Sequence, residues 1–199
     1  MKLRRWAGLS ACAVLALLPS AAAMAEDYNA ELTYRLFTAT CMRRVGKPEQ
    51  IRAWAKEARL PPITEPNALN TFVGTTPGAK GAAWSLPSPN GRKFTLSLRN
   101  GSEACVLWAE AGDPETAEDL FRKMVTASAG DNSKVSVDQD QSFTTATGKS
   151  RLLTMSVTEK DGSGYEFTLK AGDKPGAFFS GAPIQLSMQL ERIEPTKKK

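Results

Sequence analysis

Phe94-Thr95-Leu96-Ser97-Leu98-Arg99-Asn100-Gly101-Ser102-Glu103-Ala104-Cys105-Val106-Leu107 is the stretch from which the rest of the chain can be read. Phe94, Leu96 and Leu98 alternate with polar residues, the period of a strand with one buried face. Asn100-Gly101 is a strong two-residue hairpin signal. A turn there predicts Leu96 opposite Cys105 and Phe94 opposite Leu107, which puts Cys105 on the apolar face.

Downstream the strand period continues, apart from one helix. Asp113-Pro114 reads as an N-cap followed by proline in the first turn, and Ala117, Leu120, Phe121 and Met124 then recur at helical spacing, so a long helix is expected over about 114–126. After a polar stretch at 129–134, Leu153, Met155 and Val157 alternate, as do Tyr165, Phe167 and Leu169. A two-residue Asp161-Gly162 loop would put those two sets on opposite faces, so an odd-length loop with a left-handed glycine is expected. Ile184, Leu186, Met188 and Leu190 form the last strand, a candidate for partner pairing should it lie at the rim of the sheet.

Upstream the period is helical. Tyr34, Phe37 and Cys41 share one face of a first helix, and Pro48 opens a second whose Ile51, Trp54, Ala55 and Ala58 make a stripe ended by Pro61-Pro62. A third runs from Pro66 to Val73, ended by Gly74. The expected fold class is therefore α+β, with N-terminal helices packed on an antiparallel sheet that the 114–126 helix interrupts.

At the N-terminus Lys2, Arg4 and Arg5 precede an apolar run from Trp6 to Leu18 and small residues ending at Ala25. That order predicts a secretory signal, residues 1–25, cleaved after Ala25 with Ala23 as the second site, and the run is shorter than the roughly 20 residues of a spanning helix. Leu9-Ser10-Ala11-Cys12 has the form of a lipid-attachment box, but its cysteine precedes the most apolar part of the run instead of following it. The expected organisation is signal 1–25, a single domain 26–194 and a disordered basic tail 195–199, in the periplasm, with no transmembrane segment in the mature chain. Three cations leave with the signal, taking the formal +5 of the 199 residues to +2. The terminal Lys197-Lys198-Lys199 exceeds that remainder, so charge gives no argument for nucleic acid.

Removal of Cys12 leaves Cys41 and Cys105, an even pair in an oxidising compartment, and a disulfide is expected over two buried thiols. The chain has no histidine. Ser-His-Asp and Cys-His catalysis and imidazole zinc sites are thereby removed, and no cofactor or metal is expected. No serine has lysine three positions on, as a serine–lysine enzyme needs. Gly148-Lys149-Ser150 lacks the earlier glycine of a phosphate loop, with Phe143 in that place, and reads as a turn between strands. Gly162-Ser163-Gly164 lacks the third glycine of a dinucleotide site. Asp138-Gln139-Asp140 lacks the glycine and glutamate of a calcium loop. Carboxylate chemistry stays open, with Glu103, Glu110, Asp138, Asp140 and Glu166 available.

The most basic surface is Arg43, Arg44, Lys47, Arg52, Lys56 and Arg59, within 17 residues whose only acids are Glu49 and Glu57. Arg52, Lys56 and Arg59 fall on one helix face opposite Trp54. That face reads as a solvated surface or as a contact for an anionic envelope component or acidic partner.

The landmarks Leu36-Phe37 before Cys41, Pro48-Glu49-Gln50-Ile51-Arg52-Ala53-Trp54-Ala55, Phe72-Val73 before Trp84, and Asn100 to Leu107 leading into Asp113-Pro114 resemble a family of uncharacterised exported proteins of Gram-negative bacteria. The resemblance implies export and the two-cysteine bridge, and supplies no catalytic residue. The sequence thus favours a non-enzymatic binding protein, an accessory subunit or inhibitor of another envelope protein. The alternatives are a histidine-free carboxylate hydrolase of envelope glycans and an anionic-surface binder through residues 43–59.

Overall fold

The computed structural model describes residues 21–75, 81–89, 91–99, 102–178 and 182–195. Residues 1–20 of the expected signal, the Asn100-Gly101 turn and residues 196–199 of the expected tail lie outside them. The elements run α1 (Ala21–Thr40), α2 (Pro48–Glu57), α3 (Pro66–Val73), β1 (Ala82–Leu86), β2 (Phe94–Leu98), β3 (Cys105–Ala109), α4 (Pro114–Ser128), β4 (Lys134–Thr145), β5 (Gly148–Thr158), β6 (Gly164–Gly172) and β7 (Leu186–Ile193). The chain is α+β, with its N-terminal helices preceding a seven-stranded antiparallel sheet of order β1-β2-β3-β7-β6-β5-β4. In space the sheet is continuous. α4 intervenes in the chain between β3 and β4, while β3 pairs with β7.

The β2–β3 register differs from the expected one. Leu98 faces Cys105, Leu96 faces Leu107 and Phe94 faces Ala109. The connection is closed by Arg99 N–H donating to Ala104 O at 3.1 Å, two residues further along than a tight Asn-Gly turn allows. A shift of two preserves the face, because side chains alternate with period two, so Cys105 still points into the core. The β5–β6 loop matches its expectation. Glu159 N–H donates to Ser163 O at 2.8 Å around a three-residue turn, and Gly162 has φ +84. The Gly148-Lys149-Ser150 tripeptide is not a turn: Thr145 pairs with Gly148, and the tripeptide starts β5.

One face of the sheet carries Phe94, Leu96, Leu98, Leu107, Leu153, Met155, Phe167, Leu169, Leu186, Met188 and Leu190, all buried. α1 and α4 pack on this face, α4 with its buried Ala117, Phe121 and Met124. Asp113 caps α4, its Oδ1 accepting from Thr116 N–H at 2.7 Å. α3 packs on the opposite face over β1 and β2, where Ser97 Oγ donates to Phe72 O, and Phe72 meets Trp108 of β3 edge-on.

β7, the candidate rim strand, is the middle strand of the seven, which removes it as a pairing edge. The rims are β1 and β4. The β1 edge is covered by the 61–63 segment, with Ile63 N–H donating to Ala83 O and Ser85 N–H to Pro61 O, both at 2.9 Å. β4 carries charges and a register break between Val137 and Gln139, devices that discourage edge pairing.

Candidate functional site

Cys41, one residue past α1, bonds Cys105 at the start of β3, with an S–S distance of 2.02 Å and a Cα–Cα distance of 5.5 Å. Both cysteines are buried in the core. The bond fastens the helical segment to the third strand in the sheet order, and it removes both thiols from metal or nucleophilic chemistry.

The six basic residues do not act alike. The Arg44 guanidinium lies 5.1 Å from the Trp54 ring centroid and donates to Ala39 O at 3.0 Å. Arg52 pairs with Glu49 at 3.4 Å. α2 ends at Glu57, and Arg59 adopts φ +53, so it leaves the helix face that Arg52 and Lys56 share. Arg59 N–H donates to Lys56 O and Leu60 N–H to Ala55 O, a Schellman closure at a position where glycine is usual. Arg43, Lys47, Lys56 and Arg59 are exposed and form no ion pair among the described residues.

The candidate carboxylates separate into engaged and unengaged groups. Asp140 joins Glu118, Arg122 and Arg151 in a closed ring at one rim of the apolar face. Arg151 Nε and Nη2 donate to Glu118 at 2.6 and 2.8 Å, and its Nη1 donates to Asp140 at 2.5 Å. Arg122 Nη2 bridges Glu118 and Asp140 at 2.8 Å each. Hydrogen bonds from Arg151 hold the Glu118 and Asp140 carboxyls below the ordinary carboxylate range. They are structural anions tying α4 to the β4–β5 hairpin. Glu110 faces Lys93 at 3.6 Å, and Glu103 is exposed. Asp138 accepts from Ser136 Oγ at 2.9 Å and from Ser156 Oγ. Among the described residues no three histidine, cysteine, aspartate or glutamate side chains converge as metal ligands.

Glu166 is different. It projects from β6 onto the face opposite α1 and α4, directly across from Glu191 on β7. Burial first, and then the charges of Glu191 and Asp138, push its carboxyl up. Two positions on, Thr168 lies opposite Gln189 and beside Thr154, whose hydroxyl is 3.4 Å from that of Thr168. Two further on, Lys170 lies opposite Ser187 and Leu152. Burial, and then the charge of Arg99, push the Lys170 ammonium down. Its Nζ sits 5.4 Å from the Phe178 ring centroid.

β5, β6 and β7 therefore present a three-by-three polar grid. The acid row is Ser156, Glu166 and Glu191; the neutral row is Thr154, Thr168 and Gln189; the cationic row is Leu152, Lys170 and Ser187. Arg99, one residue past β2, donates to Gln189 Oε1 at 3.3 Å, and Gln189 Nε2 donates to Glu191 at 3.3 Å. The short hydroxyl side chains are buried beneath the longer polar ones. Glu166, Glu191 and Lys170 form no ion pair among the described residues. Lys170, Gln189, Glu191 and Arg99 were not singled out by the sequence reading. Their signal was present: the alternation that buries Tyr165, Phe167 and Leu169 also assigns Glu166, Thr168 and Lys170 to the other face.

Two clefts lie apart from this grid. One of about 550 Å³ opens beside the start of α4, with Asp113, Glu115, Ser142, Lys149, Arg151 and Asp173 in its wall. One of about 200 Å³ lies between Ile63, Phe72, Trp108 and Ile184. Neither includes Glu166 or Glu191. No described helix is long and apolar enough to cross a membrane. The fold and surface define a disulfide-bonded α+β chain whose polar sheet face is left free of described helices over β5–β7. Comparison with protein-family models, curated proteins and solved structures finds no match.

Proposed function

We propose that the chain is a non-enzymatic binding protein of the periplasm, exported on its N-terminal signal, that acts as an accessory subunit or inhibitor of another envelope protein. The resemblance to the two-cysteine exported family belongs to the same reading. The observation that carries it is the β5–β7 face, where half-buried Glu166, Glu191 and Lys170 have no oppositely charged partner among the described residues. Like charges directly opposite on neighbouring strands cost stability, so Glu166 facing Glu191 is a local expense that a bound cationic group would offset.

A second reading, a histidine-free glycan hydrolase, draws on the same pair. Glu166 and Glu191 are directly opposed strand positions, and a raised carboxyl beside a second carboxylate suits a general acid. The surroundings count against it: neither carboxylate lines either of the clefts described above, and a site on an open sheet face excludes water poorly.

Purified protein incubated with peptidoglycan and oligosaccharides, as wild type and as Glu166→Gln, separates the two. The binding reading expects no turnover from either protein. Turnover that disappears in Glu166→Gln would replace it with the hydrolase.

A further inference from the structure

We infer that the β5–β7 grid recognises an extended peptide segment of a partner protein that carries one basic and one acidic side chain four residues apart. The inference rests on the binding reading above and adds the chemistry of the partner. Glu166 and Lys170 are four residues apart on one strand, so their side chains leave the same face about 13 Å from each other at roughly 3.3 Å per residue. That span keeps the two charges from pairing with each other. The neighbouring strands reinforce each end: Glu191 stands opposite Glu166, and the charge of Arg99 acts on Lys170. Between the ends lies the amide of Gln189, over the buried Thr154 and Thr168, so the middle row carries no charge.

An extended peptide laid along β6 has the same repeat as the strand beneath it. Its residues i, i+2 and i+4 therefore meet the acid, neutral and cationic rows in turn. A lysine or arginine at i lies over Glu166 and Glu191, and an aspartate or glutamate at i+4 lies over Lys170. Both ends are partly desolvated and neither is ion-paired among the described residues, Lys170 meeting only the Phe178 ring, so each gains more from an opposite charge than an exposed residue would. A uniformly basic or acidic segment satisfies one end and is repelled at the other, which makes the grid selective for charge spacing as well as sign.

The test uses blocked, fluorescein-labelled pentapeptides and the intact protein, read by fluorescence anisotropy at low salt. Lys-Ser-Thr-Ser-Glu should bind about tenfold more tightly than Lys-Ser-Glu-Ser-Thr, which has the same composition with the charges two apart. Glu166→Gln and Lys170→Met should each weaken the first peptide at least fivefold, while the second, which reaches only one charged end at a time, should respond to at most one of them; Glu191→Gln guards against a folding defect at one position. Equal affinity for the two peptides, no binding of either, or no change in the variants would overturn the inference. An envelope partner whose binding is indifferent to all three substitutions would overturn the grid while leaving the interaction reading intact.

Discussion

Reducing the Cys41–Cys105 bond perturbs the protein without changing its composition, because both sulfurs stay in the core where they were packed. The cysteines are 64 residues apart, so the bridge closes a long loop in the unfolded chain. The chain-entropy relation gives about 4 kcal/mol for a loop of that length. For a domain of this size about 1 kcal/mol corresponds to roughly 2–4 °C, so reduction should lower Tm by about 8–16 °C. The assay is urea unfolding followed by tryptophan fluorescence, with and without a reductant that is itself spectroscopically silent. Reduction should lower the midpoint and also raise the slope, since an uncrosslinked unfolded chain exposes more surface. A loss under about 1 kcal/mol would refute the reasoning, because it would mean that the bridge does not constrain the unfolded ensemble.

Four other outcomes are expected. Arg151→Met opens the ring and leaves Glu118 and Asp140 sharing Arg122, costing about 1–2 kcal/mol at pH 7. Both carboxyls are depressed in the fold, so their contribution is present above the ordinary carboxylate range and lost as pH falls through the folded values; urea midpoints of wild type and variant should converge in acid. Glu166→Gln has the opposite sign: a carboxyl raised by folding loses stability as pH rises from its unfolded to its folded value, so the variant should gain up to about 1 kcal/mol at pH 7 and nothing in acid. Gly162→Ala should cost about 1 kcal/mol, a purely backbone effect at φ +84 with open space around the added methyl, whereas Gly164→Ala should cost more because its Cβ would collide with Val157 O. Lys47→Glu with Lys56→Glu should change the unfolding free energy by no more than about 0.5 kcal/mol in urea titration, since neither exposed ammonium is ion-paired among the described residues.

The elements that were legible are those with one strongly buried face. α4 was expected at 114–126 and runs Pro114–Ser128, because Asp113, Pro114 and the Ala117–Phe121–Met124 stripe all specify the same helix. β4 was not read, and the reason is its position. A rim strand with most side chains exposed carries no alternation to detect, and Val137 remains half exposed. The β2–β3 register was misplaced because Asn100-Gly101 favours the shortest turn, whereas the chain closes between Arg99 and Ala104; the hydrophobic pattern tolerates either choice. The candidate site was only half legible. That Glu166 and Lys170 share a face follows from alternation within one strand. That Glu191 stands opposite Glu166 depends on β7 lying between β3 and β6, and strand order is set by the whole sheet. Within the basic cluster the spacing does not show that Arg44 packs on Trp54, that Arg52 pairs with Glu49, or that the helix ends before Arg59, because each depends on a local contact.

The measurement that tests the central claim most directly is site-specific photocrosslinking in the intact envelope, with a benzophenone residue at Leu152 in the grid, at Lys56 on α2, or at Lys123 on α4. The account predicts an adduct to one envelope protein from Leu152 alone, lost when Lys170→Met is added. Adducts from Lys56 or Lys123 with none from Leu152 would contradict it, because the partner would then dock on the helical side of the molecule.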